Sequence, residues 1–548
     1  MFVEKVRTDI LCVGGGIAGL MAAIRASELG ADVIVADKAN TRYSGSSGAG
    51  NDHFMCYIPE IHGPDIRPII EEVQRSLVAG MTHSDFVPIW LERTFDIIKL
   101  WDSWGIPMKY NGRYEFAGHG YPGKPLLFIH YSGQHQKKVL TKEALKRGVK
   151  IINRVMVFDL ITDENRVVGA LGTDTREERL IEFRARSVIL GTGSCIRLYP
   201  APNPASMFNV AYSPGVTGDG PAMAYRAGAE LTNMEIPLRW VGPRYFARCG
   251  KATWIGVLRD SQGSPVGPFV TRPERKYGDV ASDIYPKVFE DYNRSGKGPV
   301  YMDCRGISDE DHEYMMYFFK NEGLSSLVHH LEDERIDLRK NPIEFATYEM
   351  MPKGGLYHNG KGETSIKGLF SVGDEAYASM GISMASTYGW LTGEHAVRYA
   401  KDSESPDKDI AKEEVNAKKA MVEDIRMREA GPDWKEVNIA LQQIMEDYAG
   451  SNRSETLLNA GYGHLQRLKD KTLSTVTAKN QHELLRCLEV LDLLDIGETV
   501  FVGAKERKET RGMHVRSDYP FTNPLLEKFL LVKRVDNKPV IRWIDIKR

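Results

Sequence analysis

The segment Asp9-Ile-Leu-Cys-Val-Gly-Gly-Gly-Ile-Ala-Gly-Leu20 leaves this chain few folds to choose from. Its apolar run, Ile10 to Val13, reads as a buried strand. The run breaks into Gly14-x-Gly16-x-x-Gly19 and resumes as Leu20-Met-Ala-Ala-Ile24, a helical stretch. In such a strand–turn–helix, Gly14 allows the tight turn, Gly16 lets the backbone approach a pyrophosphate, and Gly19 lets helix and strand pack closely. Ala18 lies in the same turn, and the helix N-terminus faces the phosphates with its N–H groups. A second strand, Asp32-Val-Ile-Val-Ala36, ends at Asp37, an acid about 20 residues on that can hold a ribose hydroxyl. Dinucleotide binding by a Rossmann-like α/β unit is the expectation.

With 548 residues the chain exceeds a single core, so two or three domains are expected. A net charge of −2 argues against nucleic acid or an anionic membrane as the main partner. No apolar run reaches the ~18 residues of a bilayer span. The charged start enters a strand directly, so no signal peptide is expected, and the predicted location is cytoplasmic or the inner face of a membrane complex. The six cysteines (Cys12, Cys56, Cys195, Cys249, Cys304 and Cys487) show no CxxC spacing. No metal site follows from them, and any one-electron carrier would sit on another chain.

Along the chain, Thr41 to His53 forms a loop of small and polar residues that includes Ser44, Gly45, Gly48 and Asn51 and suits the side of a flat ring system. Helical patterning runs from Pro68 to Trp104, where Phe86, Trp90, Phe95 and Trp101 read as helix core. A helix over about 134–147 and the strand 149–153 lead into a ribbon over 155–162, 166–173 and 179–185. The strand Ser187–Leu190 then ends in the glycine turn Gly191-Thr192-Gly193. Thr217-Gly-Asp219-Gly220 opens another helix, and a third glycine turn, Gly373-Asp374, closes a short strand and precedes a helix from Tyr388. The predicted architecture is a Rossmann-like dinucleotide-binding domain (1–235 and 342–400), an inserted α+β cap (236–341), a C-terminal helical domain (401–520) and a terminal strand pair (521–548).

Several pieces in fixed order carry a family resemblance: the first glycine turn with Asp37-Lys38, Arg42-Tyr-Ser-Gly, Gly191-Thr-Gly193, Thr217-Gly-Asp-Gly220, Gly298-Pro-Val-Tyr-Met-Asp303, Gly368-Leu-Phe-Ser-Val-Gly-Asp374 and Glu509-Thr-Arg-Gly-Met-His514. The chain resembles the succinate dehydrogenase/fumarate reductase flavoproteins, nearest in pattern to the adenylylsulfate reductase alpha subunit. The resemblance implies FAD, with its pyrophosphate over Gly14–Gly19, its adenosine ribose on Asp37 and its ring along Ser44–Gly50. Asp374 would face the ribityl–phosphate part. Lys38, Val157, Thr192, Gly193 and Asp219 join the implied cofactor contacts, and the helix N-terminus around Ser386 would stabilise negative charge on the ring. Quinone-linked members bond the flavin to a histidine where this chain has Ser44-Gly45, so the FAD is expected to be non-covalent; His53 reads as a pocket residue.

The dicarboxylate members clamp their substrate with two histidines and two arginines. The corresponding segments here read Ile236-Pro-Leu-Arg-Trp240, Thr347-Tyr-Glu-Met350 with Pro352-Lys-Gly-Gly, and Met380-Gly-Ile-Ser-Met-Ala-Ser386. Unpaired carboxylates would cost several kcal/mol there, which argues against succinate or fumarate. The candidate catalytic groups are Arg244, Arg239 and His358, with Arg248, Arg259, Lys251, His53 and Tyr348 as further polar candidates and His514 and Arg511 as structural ones. The expected function is that of an FAD-dependent oxidoreductase subunit, working between a small polar or anionic substrate and a ferredoxin-like iron–sulfur partner within an oligomer or complex. A relay subunit without its own substrate and an O2-using oxidase are the alternatives.

Overall fold

The computed structural model describes residues 2–77, 81–83, 85–117, 125–201, 210, 212–244, 253–266, 272–277, 286–377, 381–406 and 410–547. Its centre is a seven-stranded sheet in which Phe2–Val13 lies between Val33–Asp37 and Arg179–Leu190, both parallel to it. Lys150–Asn153 extends one edge in parallel, and the ribbon Val155–Asp163/Arg166–Asp174 extends the other antiparallel. Leu369–Ser371 pairs in parallel with Val188–Leu190. The chain therefore returns, some 180 residues after leaving the sheet, to set its third glycine turn beside the first two. The segments 179–185 and 187–190, expected as two strands, are one, because Phe2–Val13 pairs with them continuously from Arg179 to Leu190.

Missing side chains bring the turns together. A Cβ on Gly14 would lie 2.4 Å from the Gly191 carbonyl oxygen, and one on Gly373 would lie 2.9 Å from Ala18 Cβ. The first helix, Ile17–Glu28, packs on the long helix Ile382–Asp402 through Gly389 and Gly393. Added Cβ atoms there would meet the carbonyl oxygens of Ala18 and Ala22 at 2.5 and 2.6 Å. That small-residue seam fixes the helix after the third turn against the helix after the first.

A buried carboxyl joins the second and third turns. Glu375 accepts the backbone N–H and the hydroxyl of Thr192, each at 2.5 Å. Burial raises its pKa from 4.5 to about 8, against the lowering effect of those hydrogen bonds.

The cap is a four-stranded antiparallel sheet in the order Val241–Pro243, Ile343–Thr347, Val300–Asp303, Val257–Arg259. Helices Asp309–Glu322 and Ser325–Asp333 cover it, with Trp254, Phe318, Phe319 and Phe345 in one cluster. The boundary drawn after residue 341 thus cuts this sheet, since Ile343–Thr347 pairs with two cap strands.

Four helices, Lys412–Met427, Trp434–Ala449, Glu455–Thr475 and Gln481–Glu506, form the C-terminal region. It is bonded to the cofactor domain by charge. Lys38 Nζ lies 2.6 Å from Asp219 and 3.0 Å from Glu489, and Arg197 reaches Glu489 at 2.9 Å. Burial works against the charge on Glu489, but Lys38, Arg197 and Arg486 outweigh it and lower its pKa from 4.5 to about 2. In the tail, His514 accepts from Arg453 at Nδ1 (2.8 Å) and donates from Nε2 to the Arg507 carbonyl (3.0 Å), while Arg511 pairs with Glu509 at 2.8 Å. Burial and the guanidiniums push the His514 pKa well below the usual value, as a structural histidine requires.

Gly389→Ala should lower stability by about 1–3 kcal/mol, the usual cost of overpacking, because its new methyl meets backbone; a denaturant midpoint with unchanged m-value measures this. Glu489→Gln should cost about 3–5 kcal/mol by leaving buried cations short of their anion. The two carboxyls work in opposite directions with pH. Glu489 stabilises the fold above an unfolded value near 4.5, and this is lost as pH falls from 4.5 to about 2. Glu375 binds its proton more tightly when folded, so its contribution is present below 4.5 and declines as pH rises to about 8. Melting curves of wild type and Glu375→Gln across pH 5–9 should converge at low pH and separate, with wild type the less stable, at high pH.

Candidate functional site

One elongated cavity runs across the carboxyl ends of the sheet strands, where open α/β sheets bind their ligands. At one end it is lined by Gly14, Gly16, Ala18, Asp37 and Lys38, then Val157, Thr192, Gly193 and Asp219. Ser44, Gly45 and Asn51 line it further along, with Gly373 and Asp374 opposite. Fourteen sequence-predicted positions, spread over 361 residues of chain, thus border one space.

Three predicted contacts do not line it. Gly19 supports the turn from behind: a Cβ there would lie 1.9 Å from the Gly14 carbonyl oxygen. Gly48 closes the following loop on itself, with a Cβ position 1.9 Å from the Tyr43 oxygen. Ser386 is turned into its own helix and donates to the Ser383 carbonyl at 3.0 Å. That helix begins at Ile382 rather than Tyr388, so Ile382, Ser383, Met384 and Ala385 form the cavity wall instead.

The residues present fit a dinucleotide. The first helix starts at Gly16 with no side-chain cap, leaving its first N–H groups available, and a Cβ on Gly16 would meet nothing nearer than 3.7 Å. Asp37 accepts from Gly15 N at 2.7 Å, Ala39 N at 2.8 Å and the Ser44 hydroxyl at 2.9 Å. A carboxylate offers about four lone-pair positions, so one remains for a ribose hydroxyl. Lys38 turns to Asp219 and Glu489 and acts as a fastener between segments as well as a wall.

Lys137 is a member of the site that no sequence motif marks. From the helix Gln136–Lys146 its buried ammonium donates to the Gly15 carbonyl, and burial lowers its pKa to about 8 against the pull of Asp37. It anchors the first turn from beneath. Its only signal was a lysine in an ordinary amphipathic helix.

The expected catalytic set is not gathered at this cavity. Arg244 is half exposed and pairs with Glu344 along the cap sheet. Arg239 lies 3.7 Å from Glu446 of the helical region. His358 is buried: Nε2 donates to the Tyr377 carbonyl at 2.8 Å, Nδ1 accepts from Gly360 N at 3.2 Å, and burial lowers its pKa to about 4. With both nitrogens bound to backbone, it is a poor proton donor. Tyr348 donates to the Pro243 carbonyl at 2.8 Å and Arg259 pairs with Asp303 at 2.9 Å. Arg248, Lys251 and Tyr245 lie outside the described residues.

His53, Lys353 and Glu322 also line the cavity, as do Met55, Val73, Val87, Trp90, Phe128 and Met384. Trp90, expected as helix core, is also cavity wall. Strand His53–Met55 is tied to the start of the long helix by a bond from Met55 N to the Ser383 hydroxyl at 2.7 Å.

The FAD binding domain family matches residues 9–385, and the fumarate reductase flavoprotein C-terminal family matches residues 438–542. A chain of the CoM/CoB fumarate reductase of Methanothermobacter marburgensis is 27% identical, over 97% of this chain and 98% of its own length. L-aspartate oxidase of Vibrio cholerae is 26% identical, over 93% and 96%. Adenylylsulfate reductase of Archaeoglobus fulgidus superposes with a TM-score of 0.86 at 22% identity, covering 100% of this chain and 97% of that one. Glycine turns converging on one cavity, a cap and a helical C-terminal region carry these matches, and the chain belongs to the FAD-dependent oxidoreductases of the fumarate reductase/succinate dehydrogenase flavoprotein family.

Proposed function

We propose that the chain is the flavin-bearing subunit of a redox assembly, moving two electrons between a small polar or anionic substrate and a ferredoxin-like iron–sulfur partner. The observation that carries this reading is that the cavity bordered by the glycine turns is also lined by His53 and Lys353. A relay subunit without a substrate would need no such polar groups there. When bound, FAD supplies the acceptor and donor of an electron pair.

The chain's own residues do the rest. The first turn binds the diphosphate through backbone N–H groups, and Lys137 keeps that turn in place. The Ser44–Asn51 loop lies where a histidine link would have to form and offers none, in keeping with non-covalent binding. Lys353 is a cation of the cavity wall suited to an anionic group of the substrate. Arg244 and Arg239 serve cap and interdomain contacts in this reading.

The electron route to a second chain rests on the thiols and on kinship. Cys12, Cys56, Cys304 and Cys487 are buried singly, with desolvation pushing each pKa up to about 12, which makes them poor redox or metal-ligating thiols. The Methanothermobacter relative is itself one subunit of a larger enzyme.

Acid precipitation of the purified holoprotein should release FAD into the supernatant, and the reduced protein should pass electrons to a ferredoxin faster than to air. Flavin remaining in the pellet would refute non-covalent binding. Prompt stoichiometric peroxide on mixing with air would favour an oxidase, and brisk fumarate reduction would overturn the argument from the missing cations. Lys353→Met should raise the KM for an anionic substrate about 10- to 100-fold, the worth of one charge-assisted hydrogen bond, and change kcat little.

A further inference from the structure

The far end of the cavity holds an acid–base constellation that the family's cationic clamp does not describe. His53 is 5% exposed, and its Nδ1 lies 2.6 Å from Asp52 Oδ1. Asp52 is fully buried, and its other oxygen accepts the hydroxyl of Thr253, which comes from the cap. Thr253 Oγ1 lies in turn 3.2 Å from Nδ1 of the buried His130. A consistent assignment of hydrogens runs one way. His53 Nδ1–H and the Thr253 hydroxyl both donate to Asp52, and His130 Nδ1–H donates to the Thr253 oxygen. Asp52 is then an anion fixed by two donors, and Nε2 is the basic nitrogen of a neutral His53. A carboxylate behind an imidazole both orients the ring and favours its protonated form.

Position decides what this pair can act on. Gly14–Gly19 and Asp37 would hold the diphosphate and ribose of FAD, and His53 lines the same cavity. There His53 stands between the Ser44–Asn51 loop that precedes it and the helix start at Ser383, to which its own strand is bonded. Phe128 meets its ring edge-on, with centroids 5.6 Å apart, and Met55, Val73, Val87, Trp90 and Met384 make the surrounding wall apolar. An apolar wall strengthens a proton-transfer group's electrostatics and keeps water from competing with it. The other titratable groups around it are Asp52, His130 and Tyr131 behind, and Glu322 and Lys353 on the wall.

We propose that the His53–Asp52 pair, backed by Thr253 and His130, is the proton-transferring group of this site, exchanging a proton at Nε2 whenever an electron pair enters or leaves the bound cofactor. The assignment rests on the reading of the cavity as a substrate-accessible flavin site. In the oxidative direction bound FAD would be the oxidant, taking the electron pair of the substrate's C–H bond as a hydride equivalent. A neighbouring O–H, N–H or C–H bond gives its proton to Nε2, and the electrons left behind form the new double bond. The reverse direction returns both. The substrate class is therefore one with a transferable hydride next to an acidic hydrogen, and with an apolar portion to lie against Trp90 and Phe128.

Anaerobic potentiometry of the FAD-loaded protein tests this without a substrate, because the pH dependence of the midpoint potential counts protons taken up per electron pair. Over the pH range in which the reduced flavin by itself takes up one proton, wild type should take up close to two. His53→Gln should take up one over the same range. Asp52→Asn should retain two only at lower pH, with the window moved down by about one unit or more, since the favouring charge is gone. Equal proton counts in wild type and His53→Gln overturn the proposal. A single proton throughout this range in wild type does so alone, whether or not the variants hold FAD. Failure of the broader reading shows itself differently, as loss of transfer to ferredoxin with the proton count intact.

Discussion

The close approach of three glycine turns to the start of one helix is the constraint on which the rest of the molecule depends. Gly14 lies against Gly191, Gly373 against Ala18, and Gly389 and Gly393 against the first helix two turns along. Each contact is shorter than a side chain permits, so each position is fixed by the absence of a Cβ rather than by attraction. Their combined effect is to place three backbone segments, far apart in sequence, around a space long enough for a dinucleotide. A carboxyl held largely neutral at pH 7, Glu375, binds the second turn to the third from within. The cation Lys38 binds the first to the C-terminal helices.

This constraint also explains what could be read from the sequence. A glycine demanded by steric exclusion leaves a mark at one position, and a strand before it and a helix after it are local patterns. The three turns, Asp37, and the strand returning at Leu369 were all legible on those terms. The groups that act at a distance were not. Lys137 reaches the Gly15 carbonyl from a helix 122 residues later, and nothing in its neighbours marks it. Arg244, Arg239 and His358 had the right chemistry at suggestive places, but their orientation is decided by partners in other elements: Glu344, Glu446, and the backbone at Tyr377 and Gly360. Residue type is local information; the direction of a side chain is tertiary. The same reason hid the true start of the helix at Ile382, since Ser383 there bonds to a strand more than 300 residues earlier.

The cap illustrates the same division. Its strands are short, and one of them, Ile343–Thr347, lies beyond the boundary that composition suggested, because the loosening of pattern marks a cap's loops and not its last strand. That strand matters to the site. It leads through Tyr348, bonded to Pro243, into Met351–Pro352 and on to Lys353, so one continuous run of chain carries the cap sheet to the cavity wall. Thr253, from the cap's other side, reaches Asp52. The cap therefore supplies a hydroxyl to Asp52, and the chain leaving it brings an ammonium to the cavity wall, while Arg244 turns to the cap's own framework and Arg239 to the helical region.

In the proposed reading, the missing cations of the dicarboxylate relatives and the His53–Asp52 pair belong to one arrangement. A substrate held between two carboxylates needs several cations, and those cations would disfavour a protonated imidazole among them. Where the cations are few and the wall is apolar, a histidine backed by a buried anion can carry the proton with the least electrostatic interference. The 5% exposure of His53 gives its ring access to the cavity and little beyond it. In the proposed reading the family's scaffold, kept rigid by its glycines, is indifferent to this exchange, because Asp52, His53 and Lys353 lie outside the glycine turns. That separation lets one cofactor platform serve relatives as different in name as a fumarate reductase and an aspartate oxidase.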